Sequence, residues 1–431
     1  MLDRKFILQN PKLVAENSAR RGVEVDVATL CDLEDKRLEV LQQSQELNRQ
    51  ANETTKQIKQ AKDQAERQAL IDRGRQLRAE KDQAARHEEE LDEQIQAIQA
   101  TIPNLTHPDV PSGGEEDAAE LFRGKTPVPQ LEFAPRDHLE LGQLHDLFDF
   151  EGGARVAGSG FYFLRNAAVR LDLALQQFAV SFLSDRGFTP VATPDLALTS
   201  VLQGTGFQPR GPETQIYSIE NTELNLVATA EITLGGMLSG QILSDQELPI
   251  RLCGLSHCFR TEAGAAGRAS KGLYRVHQFT KVEMFAFTVP DQSETIHEEM
   301  RQLECELFDA LEVPYRVIDT ASGDLGGPAY RKYDLEAWMP GRGDGGDWGE
   351  VTSTSNCTDY QARRLNVRYK HTGEKGTHFV HTLNGTAVAT GRAMIAILEN
   401  HQRADGSINV PTVLRPWVGT NVLESPGSTS Q

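Results

Sequence analysis

The sequence has few cysteines: Cys31, Cys253, Cys258, Cys305 and Cys357 are odd in number and scattered over 431 residues. That excludes the paired spacing of a secreted disulfide scaffold and fits a reducing, cytoplasmic setting. Long apolar runs are missing too. No stretch approaches the ~20 apolar residues of a membrane-spanning helix, and the opening Met-Leu-Asp-Arg-Lys-Phe lacks the apolar core of a leader, so no membrane partner is expected. Positive charge is in deficit, with 44 Lys and Arg against 62 Asp and Glu and a net charge of -18. Indiscriminate polyanion binding is thereby excluded, and any nucleic-acid contact must use a local patch. No G-x-x-x-x-G-K-[ST] element and no G-x-G-x-x-G spacing is expected along the chain, so the usual nucleotide-binding loops are excluded.

What is present exceeds the ~150 residues of one domain, so two domains are expected. Asn10-Pro11 reads as a helix start and Gly22, after Arg20-Arg21, as its stop. From about Thr29 the pattern becomes heptads. Leu33, Val40, Leu47, Thr54 and Ala61 are seven apart, with Ala51, Ile58 and Ala65 at intervening positions. A second series, Leu70, Leu77, Ala84, Leu91 and Ile98, carries Ile95 and Ile102 between its members. The two fall out of phase near residues 62–70 and end at Pro103. An antiparallel helical hairpin over about 29–102 is therefore predicted, each arm ~35 residues and roughly 50 Å long. Its charge is segregated: residues 49–81 hold nine Lys or Arg against five Asp or Glu, whereas 82–93 hold six acids and one base. A solvated coiled-coil face, a dimerisation rod and a basic finger for folded RNA all remain open on that pattern alone.

Pro103, Pro108, Pro111 and Gly113-Gly114 form a breaker-rich linker, which sets the expected domains as 1–110, 111–420 and a disordered tail at 421–431. Beyond the linker, strands are predicted at 225–231, 252–260, 276–289, 348–357 and 379–390, with helices at 293–311 and 391–401. Strands adjoining in sequence with few crossover helices imply an α+β class: an antiparallel sheet flanked by helices, preceded by the two-helix arm.

The chemistry concentrates between Cys258 and Glu283, read as strand, small-residue loop and strand. Arg260 and Glu262 share a strand face, as do Lys281 and Glu283, with Phe279 next in register. Cross-strand ion pairs explain any one of these residues but not their number. Cys253, His257 and Cys258 offer no fourth ligand at a zinc spacing and read as core.

These residues carry a resemblance to the class II aminoacyl-tRNA synthetases, and within them to seryl-tRNA synthetase of the common bacterial and eukaryotic type. Phe-Arg-Thr-Glu at 259–262 matches the second signature motif, and Val-His-Gln-Phe-Thr-Lys-Val-Glu at 276–283 its returning strand. Leu-Asn-Gly-Thr-Ala-Val-Ala-Thr-Gly-Arg at 383–392 resembles the third motif. Thr-Ala-Glu at 229–231 resembles the serine-recognition element, and Glu-Val-Thr-Ser-Thr-Ser-Asn-Cys at 350–357 a metal and phosphate segment. The likeness spans nearly the whole chain in order.

The resemblance implies activation of L-serine with ATP and transfer to serine tRNA, with selenocysteine tRNA a further compatible partner. It implies catalytic roles for Arg260, Glu283 and Arg392. Thr229, Ala230, Glu231, Glu283, Asn384 and Thr386 would bind serine. ATP would lie on Arg260, Thr261, Glu262, Arg275, Val276, Phe279, Glu350, Val351, Thr352, Ser353 and Arg392. Glu350 and Ser353 would hold Mg2+ with the nucleotide. The arm and the 264–271 loop would meet tRNA, and the segment around Pro194 implies a homodimer. Thr386 stands where the family commonly has serine, keeping the hydroxyl and adding a methyl. Val227-Ala228 stands where many members carry proline, and Ala265 and Lys271 replace a common serine and arginine.

Overall fold

The computed structural model describes residues 1–207, 215–263 and 272–425, which divide into two compact units at Leu105 and Thr106. In the first unit, α1 (Arg4–Gln9) is capped by Asp3, and α2 (Pro11–Arg20) begins on proline, whose missing N–H is no loss at that position. Its chain leaves through Gly22 at φ +66°, the left-handed turn that favours glycine after a helix. Two long helices follow, α3 (Val27–Gln60) and α4 (Gln64–Thr101), each opened by an aspartate side chain that accepts from a backbone N–H of the first turn. Only residues 61–63 join them, so the helices run antiparallel. The heptad positions Leu33, Leu47, Leu77, Ala84, Leu91, Ile95 and Ile102 are buried along the seam. Ionic links bracket it at one end: Arg37 reaches Glu34 at 2.7 Å and Glu88 at 3.4 Å, and Arg4 reaches Asp92 at 2.6 Å.

The second unit is organised by an eight-stranded sheet. In chain order its strands are β1 (Ala119–Arg123), β2 (Thr189–Ala192), β3 (Ile250–Phe259), β4 (Gln278–Thr288), β5 (Tyr315–Asp319), β6 (Arg331–Met339), β7 (Asp347–Asn356) and β8 (His381–Ala389). In space they run β1-β5-β6-β7-β8-β4-β3-β2. Every pairing is antiparallel except that of β2 with β3. Both faces are covered, as the alternation along β4 shows. Val282, Met284 and Ala286 enter one apolar cluster with helices α5 (Asn166–Ser184), α7 (Ser293–Ala310) and α8 (Thr390–Asn400). Phe285 and Phe287 enter another with α6 (Ala230–Met237). The second face begins, two, four and six residues before Phe285 in phase, with Glu283, Lys281 and Phe279. One pleat thus carries both core and chemistry.

Three expectations are corrected. Residues 225–231 are not one strand: Leu224–Leu226 pairs with Leu196–Leu198, and the chain then enters α6. The reason is local, since the Thr229 hydroxyl caps the helix by accepting from the Glu231 N–H at 3.2 Å, and an acidic first turn suits the helix dipole. The tail does not begin at 421, because Val422–Leu423 pairs with Ile408–Asn409 and Leu423 is buried. Finally, residues 341–346 do satisfy G-x-G-x-x-G spacing, yet they form the turn joining β6 to β7 instead of a strand-to-helix phosphate loop. The 264–271 loop and residues 426–431 lie outside the described residues.

Candidate active site

A cleft opens on the face of the sheet that carries Phe279, with Lys281, Thr386, Glu350 and Arg392 also on its walls. Arg260 follows directly on β3 and is pinned across the hairpin, its N–H donating to the His277 carbonyl at 3.0 Å. Its guanidinium carbon stands 5.3 Å from the centroid of the Phe279 ring. A cation over an aromatic face leaves the guanidinium edges free for anions while presenting a flat apolar surface beside them. Glu262 holds an unusual left-handed φ of +50° and pairs with Arg275 at 3.2 Å. Val276 lines the same wall.

The far end is built by Glu350 and Arg392. Nη1 of Arg392 lies 3.4 Å from the Glu350 carboxylate and donates to the Glu350 carbonyl at 3.0 Å. The same guanidinium sits 4.6 Å from the centroid of the Tyr274 ring. Enclosure opposes ionisation of Glu350, but Arg392, Lys332 and Arg260 outweigh it and hold its carboxyl below the ordinary carboxylate value. A β-bulge decides which neighbours join it. Across from β6, Leu335 faces Thr352 and Glu336 faces Glu350, so Val351 is the extra residue. The skipped residue lets Glu350 and Ser353, three apart, line one cleft. Thr352 turns its hydroxyl away, to Glu304 at 3.1 Å, and Val351 is buried in the core. Their contribution to the cleft wall is therefore mainly backbone.

A second cluster adjoins. Glu283 is buried; its Oε2 meets Lys281 Nζ at 2.5 Å and accepts from the Thr386 hydroxyl at 3.2 Å. Lys281 also donates to the Thr229 hydroxyl at 2.8 Å, tying the start of α6 to β4. A bulge in β8 helps here too, since Thr386 faces Glu283 while Val388, skipping Ala387, faces Val282. Glu231 receives Asn384 Nδ2 at 2.9 Å and Gln361 Nε2 at 2.6 Å, and lines a neighbouring cavity with Asn384, Ser353 and Lys332. Burial, followed by the nearby Glu283, pushes the Glu231 carboxyl up to about 7, against the pull of Gln361, Lys281 and Arg260. Two expected residues stand apart. Ala230 packs its methyl into the apolar core, and the Thr261 N–H bonds the Gln215 carbonyl outside the cleft lining.

The sequence puts Lys281 on the chemical face but gives it no role, and it singles out neither Tyr274 nor Gln361 for the site. Lys281 and Tyr274 lie inside the motif segment, where a shared strand face with Glu283 and an aromatic beside Arg275 were visible signals. Gln361 had none, because a glutamine on a short helix looks like surface until the fold buries it. Cys253 and Cys258 are buried core, and among the described residues no group of three His, Cys, Asp or Glu side chains is arranged to hold a metal.

An antiparallel sheet that offers one arginine over an aromatic plate, a second arginine at the far end and a bulged carboxylate strand between defines a class II aminoacyl-tRNA synthetase core. Residues 215–401 match the family described as tRNA synthetase class II core domain (G, H, P, S and T), and residues 1–106 match the seryl-tRNA synthetase N-terminal domain. The serine–tRNA ligase of Rhodopirellula baltica is 78% identical over 424 residues, covering 98% of this chain and 100% of its own. That of Rubrobacter xylanophilus is 53% identical, covering 98% and 99%. The crystal structure of seryl-tRNA synthetase from Pyrococcus horikoshii complexed with ATP superposes with a TM-score of 0.91 at 38% identity, over 99% of this chain and 100% of that one. The chain belongs to the seryl-tRNA synthetase family.

Proposed function

We propose that this chain activates L-serine with ATP and transfers the seryl group to the 3′-terminal adenosine of serine tRNA. The observation that carries the reading is that the Arg260–Phe279 pair, Glu350 and Arg392 line one cleft together with Lys281, which binds the Glu283 carboxylate. Adenine would stack on Phe279, the α-phosphate and the serine carboxylate would share Arg260, and Arg392 would take the γ-phosphate. Glu283, Thr229 and Glu231 suit an ammonium, and Thr386 a small hydroxyl.

The serine carboxylate oxygen attacks the α-phosphorus, the bond to the bridging oxygen breaks, and pyrophosphate leaves with seryl-adenylate behind. Because the attacking group is already ionised, the step needs alignment and charge stabilisation more than a base. A terminal ribose hydroxyl of the tRNA then attacks the acyl carbon and AMP leaves. Glu350, kept ionised by its cationic neighbours, and the Ser353 hydroxyl are hard oxygen donors that fit Mg2+, which when bound neutralises phosphate charge.

The basic stretch of the arm, residues 49–81, would lie along the tRNA backbone, with the 264–271 loop meeting the acceptor end. A homodimer is supported by exposed apolar side chains on and just before α5, among them Phe163, Val169 and Leu173. Among the described residues no helix is long and apolar enough to cross a membrane, and we place the enzyme in the cytoplasm.

The test is amino-acid-dependent ATP–pyrophosphate exchange over a panel of amino acids, followed by charging of serine tRNA. Exchange strongest with serine is expected. Exchange without any amino acid, or strongest with another, would sink the assignment.

A further inference from the structure

Gln361 is completely buried on the short helix Tyr360–Leu365. Its amide nitrogen donates to the Thr205 carbonyl at 2.9 Å and to Glu231 Oε1 at 2.6 Å. Its amide oxygen accepts from the Thr382 hydroxyl at 2.7 Å. The direction of this chain is fixed by chemistry. A main-chain carbonyl only accepts, so the nitrogen end must face Thr205, and Glu231 Oε1 must then accept as well. Asn384 Nδ2 donates to the same oxygen at 2.9 Å. Among the described residues no donor bonds Oε2, so the two amides occupy one carboxylate oxygen and leave its twin open, on a side chain that lines the cavity.

We propose that Gln361 is a positioning residue for serine recognition: anchored by Thr205 and Thr382, its amide occupies one oxygen of Glu231 and turns the other to the substrate. The proposal rests on the reading of Glu231 as part of the serine pocket. A flexible carboxylate could swing to Lys281 or Arg260 and neutralise the cations the pocket needs. The amide prevents that by fixing the rotamer, and it favours the ionised form because its hydrogen bond is worth most to the charged acceptor. The charged and titratable groups facing Glu231 are Glu283 and Lys281 from β4 and Arg260 after β3, with Lys332 of β6 and the Cys357 thiol across the cavity. Of these, Glu283 raises its pKa and Lys281 and Arg260 lower it; Gln361 is the hydrogen-bonding partner that lowers it.

Gln361→Met keeps length and volume but removes both polar ends. In serine-dependent pyrophosphate exchange it is expected to raise the KM for serine about tenfold, with kcat and the KM for ATP within about twofold. The limb of kcat/KM that rises as Glu231 ionises should also move to higher pH by about one unit, because the ionised form has lost a donor. A general packing defect would not move that limb. Glu231→Gln in the same assay separates the layers. An unchanged serine KM in that variant would refute the serine-pocket reading itself. A raised serine KM there, with the Gln361→Met limb unmoved, would overturn the role of Gln361 alone. Should Gln361→Met fail to fold, Thr382→Val, which removes the anchor on the amide oxygen without changing volume, must raise the serine KM in the same direction by about threefold; no change would equally overturn the proposal.

Discussion

The arm and the catalytic unit bury opposite kinds of side chain. Along α3 and α4 the enclosed positions are mostly an apolar seam, Leu47, Leu77 and Ala84 at its centre; Glu34, paired with Arg37, is the one buried acid of these helices, and most other charge sits in exposed pairs such as Arg49–Glu46 and Arg75–Asp72. In the catalytic unit the sheet encloses Lys281, Glu283, Glu304 and His297. Exposed pairs of the first kind contribute little to stability, whereas an enclosed ionisable group costs several kcal/mol unless it is fully partnered. Desolvation pushes the Glu304 carboxyl well above its ordinary value, despite the Thr352 hydroxyl. The arm is therefore built cheaply from a repeating seam, with its exposed charge free to serve a polyanion. The catalytic unit sacrifices stability to hold charges where phosphate and ammonium would arrive.

The sharpest way to break the comparison is at Arg260. Replacing it with alanine should lower pyrophosphate exchange roughly 10⁴-fold and tRNA charging equally, since an arginine on a transferring phosphoryl group carries about that much. Arg260→Lys should recover only part, because an ammonium cannot bridge two anions with a planar fork. Parallel loss of both activities with an intact melting transition is the expected result. Next in size, deleting residues 36–98 should leave exchange within about twofold and cut charging roughly 10³-fold, the scale of several lost phosphate contacts. Loss of exchange to the same extent would show that the hairpin supports the fold of the catalytic unit instead.

Acid should act on the catalytic unit first. Burial pushes the His297 imidazole down to about 4 from a model-peptide value of 6.5, with the Thr354 carbonyl only partly opposing. Between those values the unfolded chain binds a proton that the folded chain refuses, so stability is complete above about 6.5 and falls as pH drops toward 4, by roughly 3 kcal/mol in all. All three tryptophans, Trp338, Trp348 and Trp417, belong to this unit, so fluorescence-detected urea unfolding reports on it alone. His297→Gln should flatten that pH dependence. A variant with the parent slope would assign the effect elsewhere.

Much of this division was legible in the sequence. Heptads located the arm and its seam because a coiled coil repeats its rule every two turns, and Pro103 closed it. The antiparallel character of the sheet followed from strands adjoining without crossovers. The site was legible where side-chain type and strand period coincide, as for Arg260, Phe279, Lys281 and Glu283. It failed where the backbone departs from period. The bulge at Val351 cannot be read from Glu-Val-Thr-Ser, and without it Glu350 and Ser353 belong on opposite faces. Thr-Ala-Glu at 229–231 reads as strand beside Leu224–Leu226, although threonine followed by an acidic first turn is a helix start. Gln361 was invisible for a third reason: its meaning lies wholly in partners distant in sequence.

The smallest predicted effect tests whether the two units are separable in stability as well as in composition. Leu77 is fully enclosed at the centre of the arm seam. Leu→Ala in a deep core costs about 2–5 kcal/mol, and a seam one layer thick can close over part of the gap, so Leu77→Ala should cost about 2 kcal/mol. The loss should appear as a lower-temperature phase in far-ultraviolet helicity, while the tryptophan transition and pyrophosphate exchange keep their parent values. Charging should weaken only through a higher KM for tRNA, because a fraying hairpin presents the same charges less often in a binding-competent form. If the tryptophan transition falls together with the helicity, the arm and the sheet unfold as one cooperative body, and the separation inferred from their cores would hold for composition but not for energy.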